Sequence, residues 1–457
     1  MMVFAGRFRR ALTSSLMTLA ALSFLLSGCG IFSPSDPSPA DPPSMTGKSH
    51  ERVPMEPKDP DANEPAGQGE PPASPPSYTT SATLVAVGDI MMHSPQIPAA
   101  YDPETGTYSF DHYFEKVKPL LAGDWVIANL ETPLAGEDAG GDSGYPLFNA
   151  PEQLAEALKH AGFGIVSTAN NHTLDRNELG VLRTLDHVKA QGLVPVGTHA
   201  SPEEAGEIPI IEKNGIRMAF LAYTYGTNGI PIPAGKDYLV NLIDEEKIKA
   251  DIARARSAGA DLVTVSMHFG YEYHLQPNEE QKRLSRSLIA AGADIILGSH
   301  PHVLQPYERI AAVNDEGLPR EGIVIYSLGN FISNQGPEQG TAKYTDVGLI
   351  FKVKAIKTFP EEKVEIGEVE LIPTWVHKYR ENGKRRYEIL PIEAELANRD
   401  HPLLTDRQYR MLEQYYAEMS AHLHSMAVPV AGEQSPDSAS NSATGSPNTE
   451  SSLDSGS

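Results

Sequence analysis

The sequence predicts an α/β fold that contains both parallel and antiparallel strands, and three observations support this prediction. Between residues 81 and 426, short runs of β-branched and other apolar residues alternate with amphipathic segments of helical period. The pair Asn214-Gly215 separates two apolar runs and is typical of a tight β-hairpin. From Val347 onward the pattern becomes richer in strands and more polar. The alternation favours parallel strands joined by helices, whereas the hairpin and the C-terminal part require antiparallel pairs.

Each predicted element follows from its own residues. Strands are expected where short apolar runs end at turn residues, at 83–87, 125–129, 164–168, 208–212, 216–223, 261–266, 294–297, 322–328, 364–372 and 386–392. Helices are expected where apolar residues recur at helical spacing, at 151–160, 178–190, 244–257, 279–291 and 405–424. Pro151 suits a first helical turn, Gly192 suits a helix end, and the last helix is expected to cover a sheet face. We expect one large domain, with a boundary near Ile356 as the alternative.

Residues 1–28 are predicted to be a lipoprotein signal peptide. Arginines precede an uncharged, mostly apolar run from Ala11 to Gly28, which is typical of a secretory signal. The segment Leu26-Ser27-Gly28-Cys29 resembles a bacterial lipobox, in which the cysteine is acylated. Acyl chains hold proteins on membranes by burying their methylene groups. We therefore expect anchoring through Cys29 on the extracytoplasmic face of the cell membrane; a simple signal peptide or membrane anchor with an incidental cysteine is the alternative.

Two further segments are predicted to be disordered. Residues 29–80 follow the lipidation site and are crowded with proline, which fixes φ and removes amide donors, so they are expected to form an extended linker. Residues 427–457 are rich in serine, glycine, asparagine and acidic residues and are expected to form a tail. The folded domain is therefore expected to span residues 81–426.

Composition excludes several classes of function. The chain has 37 Lys+Arg and 60 Asp+Glu, a formal net charge of −23, which argues against nucleic-acid binding. A single cysteine excludes an intrachain disulfide framework and a cysteine-based zinc site. Any metal must therefore be held by His, Asp, Glu or Asn side chains.

Polar residues follow five of the predicted strands, at the point where each strand ends. They are Asp89, His93, Asn129, Glu131, Asn171, His172, His268, His300 and His302. Ligand sites of open α/β sheets lie beyond the carboxyl ends of the strands, so we expect one convergent site. Oxygen and nitrogen donors without thiolate suit manganese, zinc, iron or magnesium. Taken singly, each residue could equally be a turn residue; His300 and His302 would share a face if their strand continued.

These residues belong to a series of motifs that resembles the CapA family. The motifs are Val87-Gly88-Asp89, Asn129-Leu130-Glu131, Ala169-Asn170-Asn171-His172, Met267-His268-Phe269-Gly270, Gly298-Ser299-His300-Pro301-His302 and Ser327-Leu328-Gly329-Asn330-Phe331. That family is associated with the synthesis or export of poly-γ-glutamate capsule. Its domain is similar to the calcineurin-like metallophosphoesterases. The resemblance implies two mixed β-sheets packed face to face, with helices outside.

The resemblance also implies roles for individual residues. The implied metal ligands are Asp89, Glu131, Asn171, His268, His300 and His302, with Glu131 replacing the bridging aspartate of the phosphoesterases. Met91 stands where the phosphoesterase pattern has a histidine; His93 shares strand parity with Asp89 and is proposed as the substitute. His172 matches the catalytic histidine. Glu272, Tyr273 and Asn330 are expected to face a substrate.

Three functions are compatible with these residues. The first is a role in poly-γ-glutamate synthesis or export beside membrane-bound synthesis proteins. The second is hydrolysis of a phosphoester or amide in the cell envelope, in which one or two divalent ions activate water and His172 donates a proton to the leaving group. The third is ligand binding without catalysis. Outside the motifs, Tyr223 and Tyr225 are expected to pack, with the lining of a pocket as the alternative. His377, His401, His422 and His424 are expected to lie on the surface.

Overall fold

The computed structural model describes residues 76–314 and 316–427, which belong to one compact unit, Ala73–Ser457. The signal peptide, Cys29 and most of the predicted linker and tail lie outside the described residues. The first strand begins at Tyr78, inside the segment that was predicted to be linker. Ile356, the alternative domain boundary, lies within a strand and pairs with Ser81. Among the helices that the structure describes, none has the length and apolar character needed to cross a membrane.

Strands and helices alternate along most of the described chain. The strands are β1 (Tyr78–Ile90), β2 (Tyr101–Asp102), β3 (Thr107–Tyr108), β4 (Trp125–Leu130), β5 (Ile165–Ser167), β6 (Val194–Val196), β7 (Ile210–Lys213), β8 (Ile216–Thr224), β9 (Leu262–His268), β10 (Ile295–Ser299), β11 (Leu304–Val313), β12 (Pro319–Leu328), β13 (Asn330–Ile332), β14 (Val347–Phe359), β15 (Lys363–Glu381) and β16 (Lys384–Pro391). The α-helices are α1 (Ile97–Ala100), α2 (Asp111–Phe114), α3 (Gln153–Ala161), α4 (Asn177–Ala190), α5 (Pro202–Ala205), α6 (Glu245–Ser257), α7 (Glu279–Ala290), α8 (Ile392–Asn398) and α9 (Asp406–Leu423). Short 3-10 helices cover Lys118–Leu121, Glu137–Ala139, Asp237–Leu239 and Pro337–Gln339.

Two mixed sheets form the centre of the domain. The larger has the strand order β16-β15-β14-β1-β4-β5-β6, with β13 paired to β1, and the smaller has the order β11-β12-β10-β9-β8-β7. Strands β1, β4, β5 and β6 are parallel, whereas β14, β15 and β16 are antiparallel. The predicted α/β fold with two mixed sheets is therefore confirmed.

The side chains of each sheet alternate between two apolar layers. In β1, Leu84 and Ala86 enter the core between the sheets, while Val85 and Val87 point to the outer face. A strand places successive side chains on opposite faces, so a run of apolar residues can serve both layers. Burying each large aliphatic or aromatic side chain stabilises the fold by about 1.5–3 kcal/mol.

Helices cover the outer faces of both sheets, except at the C-terminus. Helix α3 packs on the larger sheet, and α6 and α7 pack on the smaller one. Helix α9 had been expected to cover a sheet face, but its apolar side Leu412, Tyr415, Met419 and Leu423 joins the core between the sheets. Because the sandwich is open along one side, this amphipathic helix closes it beside β11 and β15.

Two glycines lie at positions where a side chain would be unfavourable. The hairpin between β7 and β8 is confirmed, since Asn214 and Gly215 have φ of 53° and 78°. Gly88 lies where β1 crosses the segment between β12 and β13, and a Cβ there would stand 1.9 Å from the carbonyl oxygen of Gly329. Only glycine permits that approach, which brings Asp89 level with Asn330.

Candidate metal centre

The polar strand ends of the two sheets lie together at one edge of the sandwich. Asp89 and Glu131 come from β1 and the end of β4, His268 from β9, and His300 follows β10. The Nε2 atom of His268 lies 2.8 Å from Oδ1 of Asn171, in the loop after β5. All of these side chains are buried, at 5% exposure or less. The structure thus brings residues that are up to 213 positions apart into one polar cluster.

The cluster contains three overlapping groups that could each hold a metal ion. They are Asp89 with Glu131 and His302, Glu131 with His268 and His300, and Glu272 with His300 and His302. Within each group the offered oxygen and nitrogen atoms lie within 4.8 Å of one another. Because Glu131 belongs to two groups, it is placed to bridge two neighbouring cations.

Buried atoms without partners fit this arrangement. Within the described residues, neither Oε1 of Glu131 nor Nδ1 of His300 has a hydrogen-bond partner. Oε1 of Glu131 lies 3.7 Å from Nε2 of both His268 and His302. Buried polar groups are normally satisfied, so a carboxylate oxygen facing two imidazoles fits a divalent cation between them.

The electrostatics of the cluster also suit a cation. Burial and the nearby Asp89 and Glu272 carboxylates raise the pKa of Glu131 well above its ordinary value. Burial and neighbouring imidazoles hold the pKa of His268 well below its ordinary value and lower that of His300 to about 3. The histidines are therefore neutral and have lone pairs to offer, while the carboxylates lack a compensating charge.

His300 and His302 reach the cluster by a route that differs from the prediction. The expectation was a continuing strand that would place both on one face. Strand β10 instead ends at Ser299, and the two histidines have left-handed φ of 99° and 57°. Such values are strained for residues with a Cβ and persist only where the surroundings enforce them.

Two asparagines hold the ligand side chains in place. Asn129 Nδ2 donates to Oδ1 of Asp89 at 2.8 Å and to Oε2 of Glu131 at 3.3 Å. Nδ1 of His302 lies 3.0 Å from both Asp89 Oδ2 and Asn330 Oδ1, so it donates and leaves Nε2 as the ligand atom. Asn330 is fully buried and donates to Gln335 and to the Thr345 carbonyl. Asn330 therefore supports His302 from the protein interior, whereas it was expected from the sequence to face a substrate.

His172 lies beside the cluster and is oriented by a carboxylate. Its Nδ1 is 2.7 Å from Oδ2 of Asp175, which also accepts the Phe148 N–H at 2.7 Å. The Phe148 ring stands edge-on to the imidazole, with centroids 4.6 Å apart. Asp175 was not predicted from the sequence, although an acidic residue three positions after a candidate catalytic histidine is a usable signal of such a pair.

His93 stays outside the three ligand groups. Strand β1 ends at Ile90, so the parity with Asp89 that motivated the assignment does not extend to residue 93. The Asn334 N–H lies 3.3 Å from Nδ1 of His93. Burial, followed by repulsion from His302, lowers the pKa of His93 to about 4. Met91, at the position of the missing histidine, is buried in the core.

Two of the three residues that were expected to face a substrate lie, with Tyr225, on the exposed side of the cluster, which we call its mouth. Glu272 and Tyr273 are exposed, and the Tyr273 ring lies 6.2 Å from that of His302. Tyr225 had been expected to pack, yet it is 49% exposed with its ring 4.6 Å from that of His300. Tyr223 does pack, and its hydroxyl donates to Asp251 at 2.7 Å.

Two histidines that were predicted to lie on the surface are buried in a second polar cluster. Nδ1 of His377 lies 2.8 Å from Oε1 of Glu388, and Nε2 of His401 lies 3.2 Å from the same oxygen. The sequence could not reveal this, because strand pairing and the loop after α8 bring the three residues together. His422 is half-buried and His424 is exposed.

Comparison with known proteins identifies the family. The sequence model of the bacterial capsule synthesis protein PGA_cap matches residues 83–335, more than half of the chain. The capsule biosynthesis protein CapA of Bacillus anthracis is 33% identical over 264 residues, which are 56% of this chain and 60% of that protein. The PGA biosynthesis protein CapA of Bacillus subtilis (strain 168) is 32% identical over 263 residues, 55% of this chain and 63% of that protein. The matches therefore span less than two thirds of these relatives.

Solved structures show weaker likeness. The NAD nucleotidase NadN of Haemophilus influenzae has a TM-score of 0.39 and 12% identity, covering 75% of this chain and 60% of that one. The calcineurin-like phosphoesterase YfkN of Bacillus subtilis has a TM-score of 0.37 and 15% identity, covering 65% and 91%. TM-scores below 0.5 support no conclusion about activity. The sequence match over residues 83–335 contains the whole cluster of candidate ligands, and the chain belongs to the bacterial capsule synthesis protein PGA_cap family.

Proposed function

We propose that this protein takes part in the synthesis or export of poly-γ-glutamate capsule through a divalent metal centre at the sheet edge. The observation that carries the proposal is that the matched capsule-synthesis region, residues 83–335, contains every candidate ligand. The Bacillus relatives named for capsule and PGA biosynthesis support it. One or two ions of manganese, zinc, iron or magnesium fit the oxygen and nitrogen donors. Its partners would be capsule-synthesis proteins of the membrane and the polymer itself.

The side chains around the centre define what it could do. Asp89, Glu131, His268, His300 and His302 would hold the ions, which when bound would supply Lewis acidity to a carbonyl or phosphoryl group. His172 is placed to carry a proton on Nε2, because Asp175 fixes its Nδ1 side. The buried Phe148 keeps water away from that pair.

A second candidate function is hydrolysis of a phosphoester or amide in the cell envelope. The pair of His172 and Asp175 favours it, since a protein that only binds a ligand has no need of an oriented proton donor. A non-catalytic ligand-binding lipoprotein is the third candidate. It would use the same mouth and predicts that loss of the His172 side chain leaves capsule production unchanged.

The first experiment measures the metal content of the purified protein beside the double variant His300→Ala/His302→Ala. We expect one or two equivalents of transition metal in the wild type after incubation with manganese or zinc, and none in the variant. Absence of metal from both forms would refute the metal centre. Unchanged circular dichroism of the variant would show that the loss is local.

The capsule role is tested in a strain whose own gene for this protein is deleted. Wild-type protein should restore the polymer, and the variants His172→Ala and Cys29→Ala should reduce it. Cys29→Ala should also release the protein from the membrane fraction, because we propose that acylation of Cys29 anchors it there. Full polymer production in the deletion strain without complementation would contradict the proposed role.

A further inference from the structure

Exposed tyrosines are concentrated around the mouth of the metal centre. Tyr145 is 71% exposed, Tyr271 59%, Tyr225 49% and Tyr273 38%. Large aromatic side chains are seldom left in water without a use, and a group of them around a polar site marks a binding surface. Tyr145 and Tyr225 lie in loops of their own, whereas Tyr271 and Tyr273 share the loop between β9 and α7.

Two of the tyrosines have rings beside histidines of the site, and a third lies near Phe148. The ring of Tyr225 lies 4.6 Å from that of His300, tilted by 47°. The ring of Tyr273 lies 6.2 Å from that of His302, and its hydroxyl is held by Gln335 at 3.3 Å. The ring of Tyr145 lies 6.5 Å from Phe148, the residue that stands edge-on to His172. Tyr225 and Tyr273 therefore place aromatic rings beside two of the candidate ligands, on the exposed side of the cluster.

The charges at the mouth are negative and without basic partners. Within residues 76–314 and 316–427, no lysine or arginine forms an ion pair with Asp89, Glu131 or Glu272. The nearby Lys378 ammonium donates to the Gln335 carbonyl. Arg176 donates to Ser143 Oγ and, at 3.2 Å, to the Leu147 carbonyl, so its charge is also used inside the protein. Neither of these two cations is therefore free to pair with an anionic ligand at the mouth, so the metal ions would have to attract it.

We propose that this mouth binds a ligand with one anionic head at the metal ions and a planar, uncharged group next to it, stacked on Tyr225 and Tyr273. The planar group is a ring or an amide, both of which present flat faces to an aromatic side chain. This inference rests on the proposed metal centre and names the class of ligand that the centre takes. It also assigns Tyr225 and Tyr273 as specificity-determining residues.

The test compares three phosphonates by calorimetric titration of the full-length, manganese-loaded protein. Methylphosphonate supplies the anionic head alone, phenylphosphonate adds a ring, and acetamidomethylphosphonate adds an amide. We expect one or both of the planar ligands to bind roughly ten-fold more tightly than methylphosphonate, as stacking of this kind allows. Preference for the ring indicates an aryl or base-like ligand, and preference for the amide indicates a peptide-like chain.

Matched variants distinguish the contribution of the tyrosine ring to binding from that of the hydroxyl group. Tyr225→Phe and Tyr273→Phe keep the aromatic ring and should retain the preference for the planar ligands, whereas Tyr225→Leu and Tyr273→Leu should lose this preference. Tyr78→Leu replaces an exposed tyrosine of β1 and is the control. Three results would overturn the inference while leaving a metal-loaded centre intact. They are equal affinity for all three phosphonates, no binding of any of them, and leucine variants that keep the preference for a planar ligand. Failure to load metal would overturn both proposals.

Discussion

Replacing Glu131 by glutamine should affect the stability of the metal-free and metal-loaded protein in opposite directions. Among the described residues, Oε1 of Glu131 has no hydrogen-bond partner, and it lies 3.7 Å from Nε2 of both His268 and His302. Glutamine has the same shape, carries no charge and can donate an N–H to Nε2 of His302, whose proton is on Nδ1. We therefore expect Glu131→Gln to stabilise the metal-free protein and to abolish the stabilisation by metal.

The expected size follows from the burial of the carboxylate. An unsatisfied buried polar group costs about 1–3 kcal/mol, and more when it is charged. For roughly 350 ordered residues the entropy of unfolding is about 0.7 kcal/mol per kelvin. Glu131→Gln should thus raise the melting temperature by about 1–4 °C in EDTA. Metal at 100 times its Kd stabilises the wild type by about 2.7 kcal/mol, or about 4 °C, and should not stabilise the variant.

The pH dependence of the stability provides an independent test of whether Glu131→Gln stabilises the protein in EDTA. Burial raises the pKa of Glu131 in the folded state, so the folded protein retains this proton to a higher pH than the unfolded chain does. A raised carboxyl pKa contributes stability below the unfolded value, about 4.3, and that contribution is lost as the pH rises through the folded value. In EDTA, the gain in stability of the Glu131→Gln variant over the wild type should therefore be small near pH 4 and should grow toward pH 8.

Differential scanning calorimetry with EDTA and with manganese or zinc measures both effects. Glu272→Gln is the matched control, because Glu272 is exposed and its neutralisation should change the metal-free melting temperature little. A Glu131→Gln protein that melts below the wild type in EDTA, or that keeps the full shift with metal, would refute the reasoning.

Three other changes test other parts of the structure. Asp175→Asn should leave the metal content unchanged and should lower the turnover of a substrate that the wild type hydrolyses about 100-fold, because Asp175 orients His172. Loss of metal in this variant would contradict the role of Asp175 as a positioning residue. His401→Ala removes one of two partners of Glu388 and should cost about 1–3 kcal/mol by urea unfolding, with metal content as the control. Gly88→Ala forces a Cβ against the Gly329 carbonyl and should lower both stability and metal content.

The strands and helices of the domain were largely predictable because their signals are local. The alternation of Leu84 to Val87 and the Asn214-Gly215 turn each fix a local geometry. The position of α9 was not predictable, because its apolar side fits a sheet face and the opening of a sandwich equally well. The helix packs in the opening because β11 and β15 leave one side of the sandwich uncovered, and this depends on the tertiary structure.

The site could be predicted as a set of residues but not as a geometry. The rule that ligands bind beyond strand ends groups Asp89 with Glu131 and His268, since it depends only on strand direction. The left-handed conformations of His300 and His302 depend on the surrounding loops and leave no signal in the sequence. Likewise, His377 and His401 are buried only because distant segments meet around Glu388.

Three buried carboxylates are a costly feature of the candidate metal centre. Asp89, Glu131 and Asp175 are each at most 4% exposed, and in the described residues none is paired with a lysine or arginine. Removing such groups from water costs several kcal/mol per ion unless a cation or strong hydrogen bonds compensate. A protein that needed only the fold would be more stable with neutral side chains at these positions. A bound cation, together with the hydrogen bonds from Asn129 to Asp89 and from Phe148 to Asp175, would offset this cost, as the proposed metal centre requires.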